Sequence, residues 1–216
     1  INFIGIGAIG LPMALQIQRA GHQVTGIDIS DSVISTARAN GLTAVSALPD
    51  APNADMVVVM VATPDQLASL VQHITHPVPG QLWIIMSTVG PESLREQGAQ
   101  LRRMGLRVVD APVTGGVARA KTGSLVIFAA GASEDIDAAK PILNTMGTVH
   151  LTGQHLGDGQ SIKVVNQHLC SVHLVAAAEA LHLARSLGLD PAAVLSLVEK
   201  GAAGSWMLSD RGPRML

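Results

Sequence analysis

Tyrosine is missing from this 216-residue sequence, and phenylalanine and tryptophan contribute two residues each. With aromatics at 2% and hydrophobic residues at 48%, a core has to be packed from Val, Ile, Leu and Ala, the usual filling of α/β layers. Charge is scarce too, at 14% of residues with a formal net charge of −2. No basic cluster appears, which excludes DNA or another phosphate backbone as the expected partner. So apolar and weakly charged a chain is not a disordered one. Cys170 is the single cysteine, so no disulfide can close within the chain, and a reducing, cytoplasmic setting is expected. The longest purely apolar run, Met56 to Ala62, falls far short of the ~20 residues of a membrane-spanning helix, and no membrane association is expected. Nothing at the start resembles a signal peptide. The chain opens on Ile1-Asn2-Phe3-Ile4-Gly5, a strand without an initial methionine, which implies that a residue or two precedes it.

Glycine, by contrast, is abundant at 22 residues. Strand-like runs are expected at 1–5, 23–28, 56–62, 82–87, 106–110, 124–130 and 148–151. Helical patterns fill 10–20, 31–40, 64–74, 91–104 and 134–146 between them. Strand and helix in strict alternation predict a doubly wound parallel sheet of Rossmann type. After Gly153 the pattern changes: residues 159–187 read as one long helix, and Asp190 caps another that begins at Pro191. The expected organisation is a dinucleotide-binding domain over 1–153, then, over 154–216, a long interdomain helix and the start of an all-helical domain for substrate and oligomerisation.

The glycines carry a specific signal. Gly5-Ile6-Gly7-Ala8-Ile9-Gly10 is a GxGxxG that leaves a strand and opens a helix. The first glycine permits the tight turn, the second lets a pyrophosphate approach the backbone, and the third packs helix against strand. The helix N-terminus offers free N–H groups and partial positive charge to phosphates. Asp28 closes the second strand, where a carboxylate accepts hydrogen bonds from ribose hydroxyls and repels a 2′-phosphate. The expected cofactor is therefore NAD rather than NADP, although Arg19 or Arg38 could still reach a phosphate. The cofactor set is Gly5, Gly7, Ala8, Ile9, Gly10, Asp28, Thr63 and Thr88.

A second group of residues bears on chemistry. Lys163 and Asn166 stand three apart on the long helix, with Gln167 following at four and Cys170 one turn further along the same stripe. A desolvated lysine beside a nicotinamide can take a hydroxyl proton as hydride leaves the same carbon, and return it in the reverse direction. Thr114-Gly115-Gly116 is a glycine-rich loop after a strand, able to present N–H groups to an anion. Asp110, at a strand end, is read as orienting that loop at most. Eight histidines do not make a metal site: His73 and His76 lack acidic or cysteine partners, and His168 and His173 fall on different helix faces.

Four further segments resemble the β-hydroxyacid dehydrogenase family, of the 3-hydroxyisobutyrate dehydrogenase and tartronate semialdehyde reductase type. They are Ser87–Pro91, Asp110–Gly116, Lys140–Gly147 and Gly157–Asn166, in the family's order and together with the GxGxxG spanning almost the whole chain. Gly201–Met207 is similar to the branch typified by L-threonate dehydrogenase. The resemblance implies an NAD(P)-dependent oxidoreductase acting on a small 3-hydroxy acid or sugar acid. It implies Lys163 as the proton-transfer group, and Thr88, Thr114, Gly115, Gly116 and Asn166 at the substrate. A dimer or tetramer is implied too, in keeping with the apolar surface that Val164, Leu169, Val172, Val175 and Leu183 give the long helix. Two departures stand out: Thr114 replaces the family's usual serine, its methyl narrowing the pocket, and family members continue through several helices beyond the position of Leu216. An imine reductase shares this architecture, but Lys163 and Asp28 argue against it. A catalytically silent NAD-binding sensor or scaffold is the alternative.

Overall fold

The computed structural model describes all residues from Ile1 to Leu216. Its sheet is laid down by β1 (Asn2–Ile4), β2 (Thr25–Ile27), β3 (Thr43–Val45), β4 (Met56–Val59), β5 (Leu82–Ile85) and β6 (Arg107–Asp110). These run parallel in the order β3-β2-β1-β4-β5-β6. Helices α1 (Gly10–Arg19), α2 (Asp31–Ala39), α3 (Pro64–Gln72) and α4 (Pro91–Arg103) provide the crossovers. This is the doubly wound arrangement expected from the alternation, and the order reverses between β1 and β4.

The far side of the sheet departs from a purely parallel pattern. After β6 come β7 (Val113–Thr114), the short α5 (Gly116–Lys121) and β8 (Leu125–Ala130). Strand β8 runs antiparallel to both β6 and β7, meeting β6 through Asp110 opposite Ala130. The connection holds one six-residue helix, too little for the longer crossover that returns a strand parallel to its neighbour. Helix α6 (Ser133–Met146) then restores the parallel sense, and β9 (Gly147–Gly153) pairs parallel with β8.

Each central strand is buried on both faces because successive side chains point to opposite layers. In β4, Val58 packs with Phe3, Met13, Ile17 and Ile84 on one face. Val57 and Val59 pack with Ile4, Leu67, Leu94 and Val108 on the other. β-branched and apolar residues in unbroken runs suit such strands. The sheet edge at β3 and the two-residue β7 are too short to show a period.

The chain divides into two compact units, Ile1–Lys163 and Val164–Leu216. The division falls within α7 (Asp158–Ser186), whose first turn is hydrogen-bonded into the sheet of the first unit. The second unit contains the rest of α7 with α8 (Pro191–Val198) and α9 (Trp206–Arg211). Its core is Ala177, Leu181, Leu195 and Leu208. Asp190 caps α8 by accepting from the N–H groups of Ala192 and Ala193, and Ser205 caps α9 through the N–H of Leu208. No helix is long and apolar enough to cross a membrane.

Candidate active site

The glycine-rich turn is shaped by what its glycines would strike. Gly5 leaves β1 at φ 85°, and a Cβ there would run into the carbonyl of Met60 at the end of β4. A Cβ on Gly10 would collide with the carbonyl oxygen of Gly5, so α1 can start this close to the strand only with glycine. Around Gly7 the situation is reversed: no atom lies within 4 Å of the position a Cβ would take. The N–H groups of Gly7 and Ala8 make no hydrogen bond within the chain. Ile9, the N-cap residue of α1, supplies no side-chain cap, and the first turn carries no acid. The turn thus presents open space, free donors and an uncapped helix start at one place, which is what a pyrophosphate requires.

Asp28 stands directly beside this turn. One carboxylate oxygen accepts from Ile6 N–H at 3.1 Å and the other from Ser30 N–H at 3.0 Å. Each oxygen keeps a lone pair for a further donor such as a ribose hydroxyl. Asp28, Gly5, Gly7, Ile29, Leu48 and Gln66 lie among the walls of a cleft of about 860 Å³ at the point where the strand order reverses. Arg38 does not face a phosphate position; its guanidinium is held on the carbonyl of Ala44 at 2.7 and 3.1 Å. Thr63 caps α3, its hydroxyl oxygen accepting from Gln66 N–H at 3.2 Å, while its neighbour Ala62 lines the cleft. These residues fit a dinucleotide on structural grounds: close packing where backbone meets backbone, and room where a phosphate would pass.

A second cluster forms where β5 and β6 end. Asp110 is fully buried. One of its oxygens accepts from the N–H groups of Gly157 at 3.0 Å and Gln160 at 3.1 Å, and the other from Gln160 Nε2 at 3.1 Å. The carboxylate therefore caps the start of α7. Burial pushes its pKa up to about 6, opposed by the hydrogen bonds from Gln160, Gly157 and Gly159. Every partner of Asp110 is a donor, so the ionised, acceptor-only form is the one the network is built for.

Gln160 continues the chain of contacts. Its Nε2 also donates to Ser87 O at 2.9 Å, while its Oε1 accepts from Val89 N–H at 3.0 Å and Gly90 N–H at 3.1 Å. Thr88 lies between these anchored residues and is exposed, flanked by buried Ser87 and Val89. Lys163, one turn beyond Gln160 on the same helix face, is only 6% exposed. The structure thus joins the Ser87–Gly90 segment to the turn of α7 that precedes Lys163. Thr114 ends β7, Gly115 is the N-cap of α5 at φ 132°, and Gly116 opens that helix at φ 65°. The expected loop is therefore a strand end followed by a short helix. Asn166 follows Lys163 on α7 and falls in the second unit, half-buried. Trp206, within the Gly201–Met207 segment, is 46% exposed at the start of α9.

Gln160 and Ser87 were not singled out from the sequence, and Asp110 was not assigned. Their signal lay in the segments Asp110–Gly116 and Gly157–Asn166, where an acid at a strand end and a glutamine just after two glycines each precede a glycine-rich or lysine-bearing motif.

The comparisons agree with this geometry. Residues 1–165 match the model of the NAD-binding domain of 6-phosphogluconate dehydrogenase. Residues 157–216 match that of the NAD-binding domain of NADP-dependent 3-hydroxyisobutyrate dehydrogenase. An uncharacterized oxidoreductase of Synechocystis is 35% identical over all of this chain and 77% of its own length. L-threonate dehydrogenase of Cupriavidus necator is 33% identical over all of this chain and 75% of its own. The crystal structure of 3-hydroxyisobutyrate dehydrogenase from Salmonella typhimurium superposes with a TM-score of 0.89 at 28% identity, covering 99% of this chain and 76% of that one. With a family model matched over residues 1–165 and relatives of this identity covered over three quarters of their length, the chain belongs to the β-hydroxyacid dehydrogenase family of NAD-binding oxidoreductases.

Proposed function

We propose that the chain transfers hydride between NAD and a small 3-hydroxy acid or sugar acid, of the kind typified by 3-hydroxyisobutyrate and L-threonate, with Lys163 moving the proton. The observation that carries this reading is the buried position of Lys163 one turn beyond the Asp110–Gln160 network. A lysine withdrawn from solvent exchanges a proton with a bound substrate more readily than with water. NAD, when bound, supplies the acceptor for two electrons and the hydrogen carried as hydride. In oxidation Lys163 Nζ takes the hydroxyl proton as the O–H bond breaks, the carbonyl forms, and the hydride leaves the same carbon. In reduction the Lys163 ammonium returns that proton to the carbonyl oxygen.

In the same proposal Thr114, Gly115 and Gly116 hold the substrate carboxylate, Asn166 contacts the substrate, and Thr88 stands beside both nicotinamide and substrate. Gly5, Gly7, Ala8, Ile9 and Gly10 receive the pyrophosphate, with Thr63 and Asp28 at the adenosine side. The preference for NAD over NADP is supported by the Asp28 carboxylate beside the glycine-rich turn and by the engagement of Arg38 with Ala44. Residues 1–153 then form the cofactor domain, and 154–216 begin the domain for substrate and association. A second copy of the chain is the proposed cover for the exposed apolar side chains of α7, and the cytoplasm the proposed location, supported by the lone Cys170.

The test is NAD reduction with L-threonate, 3-hydroxyisobutyrate, D-glycerate and 6-phosphogluconate, run beside Lys163→Ala. Turnover on one acid, reduced ~10²- to 10⁴-fold in the variant while NAD binding persists, is the expected result. Tight NAD binding with no turnover on any acid would replace the enzyme by a silent NAD-binding module.

A further inference from the structure

Gln160 is the one fully buried side-chain amide whose hydrogen-bonding capacity is completely used, and all of it is spent on the ends of two strands. Its Nε2 hydrogens go to Ser87 O and Asp110 Oδ1, and its Oε1 lone pairs to the N–H groups of Val89 and Gly90. The amide therefore grips the backbone on both sides of Thr88 without touching Thr88 itself. With Ser87 and Val89 buried and fastened, the side chain between them has to point outward. Ser87 is held from its other side as well, its Oγ accepting from Val61 N–H at 2.8 Å.

The orientation of the amide is itself determined. A flipped Gln160 would set its oxygen against the Asp110 carboxylate and the Ser87 carbonyl, and its NH₂ group against two N–H donors. Asp110, by accepting only, selects the orientation that binds Val89 and Gly90. It also holds the Gln160 backbone N–H, so the residue is anchored at both main chain and side chain. Lys163 follows three residues later on the same helix face.

We infer that Gln160 is the positioning residue that sets Thr88 relative to Lys163, with Asp110 fixing the direction of its amide. The inference rests on the roles proposed above for Thr88 and Lys163, and it adds how the distance between them is set. Gln160 touches neither cofactor nor substrate; it acts through the Ser87–Gly90 backbone and through α7.

The experiment is a double-mutant cycle with Gln160→Met and Thr88→Val in the full chain, reading kcat, KM, the NAD dissociation constant and the melting temperature. Gln160→Met preserves length and removes every polar contact of the side chain while leaving the main-chain bond to Asp110. Displacing a reacting group by an ångström costs on the order of 10²-fold in rate, so kcat is expected to fall by that order while KM and NAD affinity stay within about threefold. The same substitution made on top of Thr88→Val is expected to cost far less, because Thr88 is the residue through which Gln160 acts. Additive losses, or an unchanged kcat, would overturn the inference. Gln160→Glu, which keeps the acceptor face toward Val89 and Gly90 but repels Asp110, enters the same cycle if the methionine variant does not fold.

Hydrogen exchange supplies a readout that does not depend on turnover. The Val89 and Gly90 amides are expected to exchange slowly in the wild-type chain and fast in Gln160→Met, with β5 unaffected. A wild type that turns over no hydroxy acid, yet shows this exchange pattern, would sink the proposed function and leave the clamp standing. Slow exchange at both amides in the variant would sink the clamp, whatever the activity.

Discussion

Gly7 and Gly10 show how two residues of one motif fail in different ways when replaced. A methyl group at Gly10 meets the Gly5 carbonyl oxygen, a backbone atom that cannot rotate away, whereas one at Gly7 enters open space. Gly10→Ala is therefore expected to lose ~1–3 kcal/mol of stability in urea melts, the usual cost of overpacking. Gly7→Ala is expected to stay within ~0.5 kcal/mol of the wild type and to bind NAD much more weakly, because the methyl enters the open space proposed for the pyrophosphate. A Gly7→Ala protein with unaltered NAD affinity would show that the cofactor takes another path. The two roles, access at Gly7 and close packing at Gly10, were legible from the spacing, but that the obstacle at Gly10 is the Gly5 carbonyl oxygen shows only in the folded turn.

At the scale of elements, the start of α7 is where titration and structure meet. The Asp110 carboxyl, at about 6 in the folded chain against an ordinary 3.8, binds its proton more tightly folded than unfolded. Its contribution to stability is therefore complete below about pH 4 and is lost as pH rises through about 6. The difference between those two values corresponds to about 3 kcal/mol. Asp110→Asn removes this dependence. The melting temperature of the variant minus that of the wild type is expected to rise between pH 4 and about 6.5 and then level off. The offset should be negative near pH 4, where the Asn amide also sets a donor against Gln160 Nε2. A flat difference across the range would mean that Asp110 does not titrate there. Helices with local signals, such as Thr63-Pro64 and Asp190-Pro191, were legible from sequence because cap and first turn are neighbours in the chain. α5 and β7 were not: six and two residues are too few to carry a period, and only pairing with β8 makes β7 a strand.

For the whole molecule, the second unit leaves much apolar surface uncovered. Val165, Val172, Val175 and Leu183 on α7 are each about half exposed or more. A contiguous exposed apolar face of this kind is commonly a contact between subunits. Light scattering is expected to give a dimer or tetramer mass for the chain, and Val172→Glu to lower it without altering NAD binding. A monomer at micromolar concentration would remove the second copy as the cover for α7.

The sequence by itself determined the parallel half of the sheet, the glycine-rich turn, the acid at the end of β2 and the lysine on the long helix. Each of those is written locally, in a period, a spacing or a cap, or in motifs that family resemblance makes legible. Tertiary structure decided the rest: the antiparallel return of β8, the burial of Lys163 and the joining of Ser87, Val89, Gly90, Asp110 and Gln160. Gln160 and Ser87 stand 73 positions apart, and no local pattern specifies a hydrogen bond between them. It exists because buried backbone groups at the ends of β5 and β6 have to be satisfied, and the first turn of α7 is what the fold brings there to satisfy them.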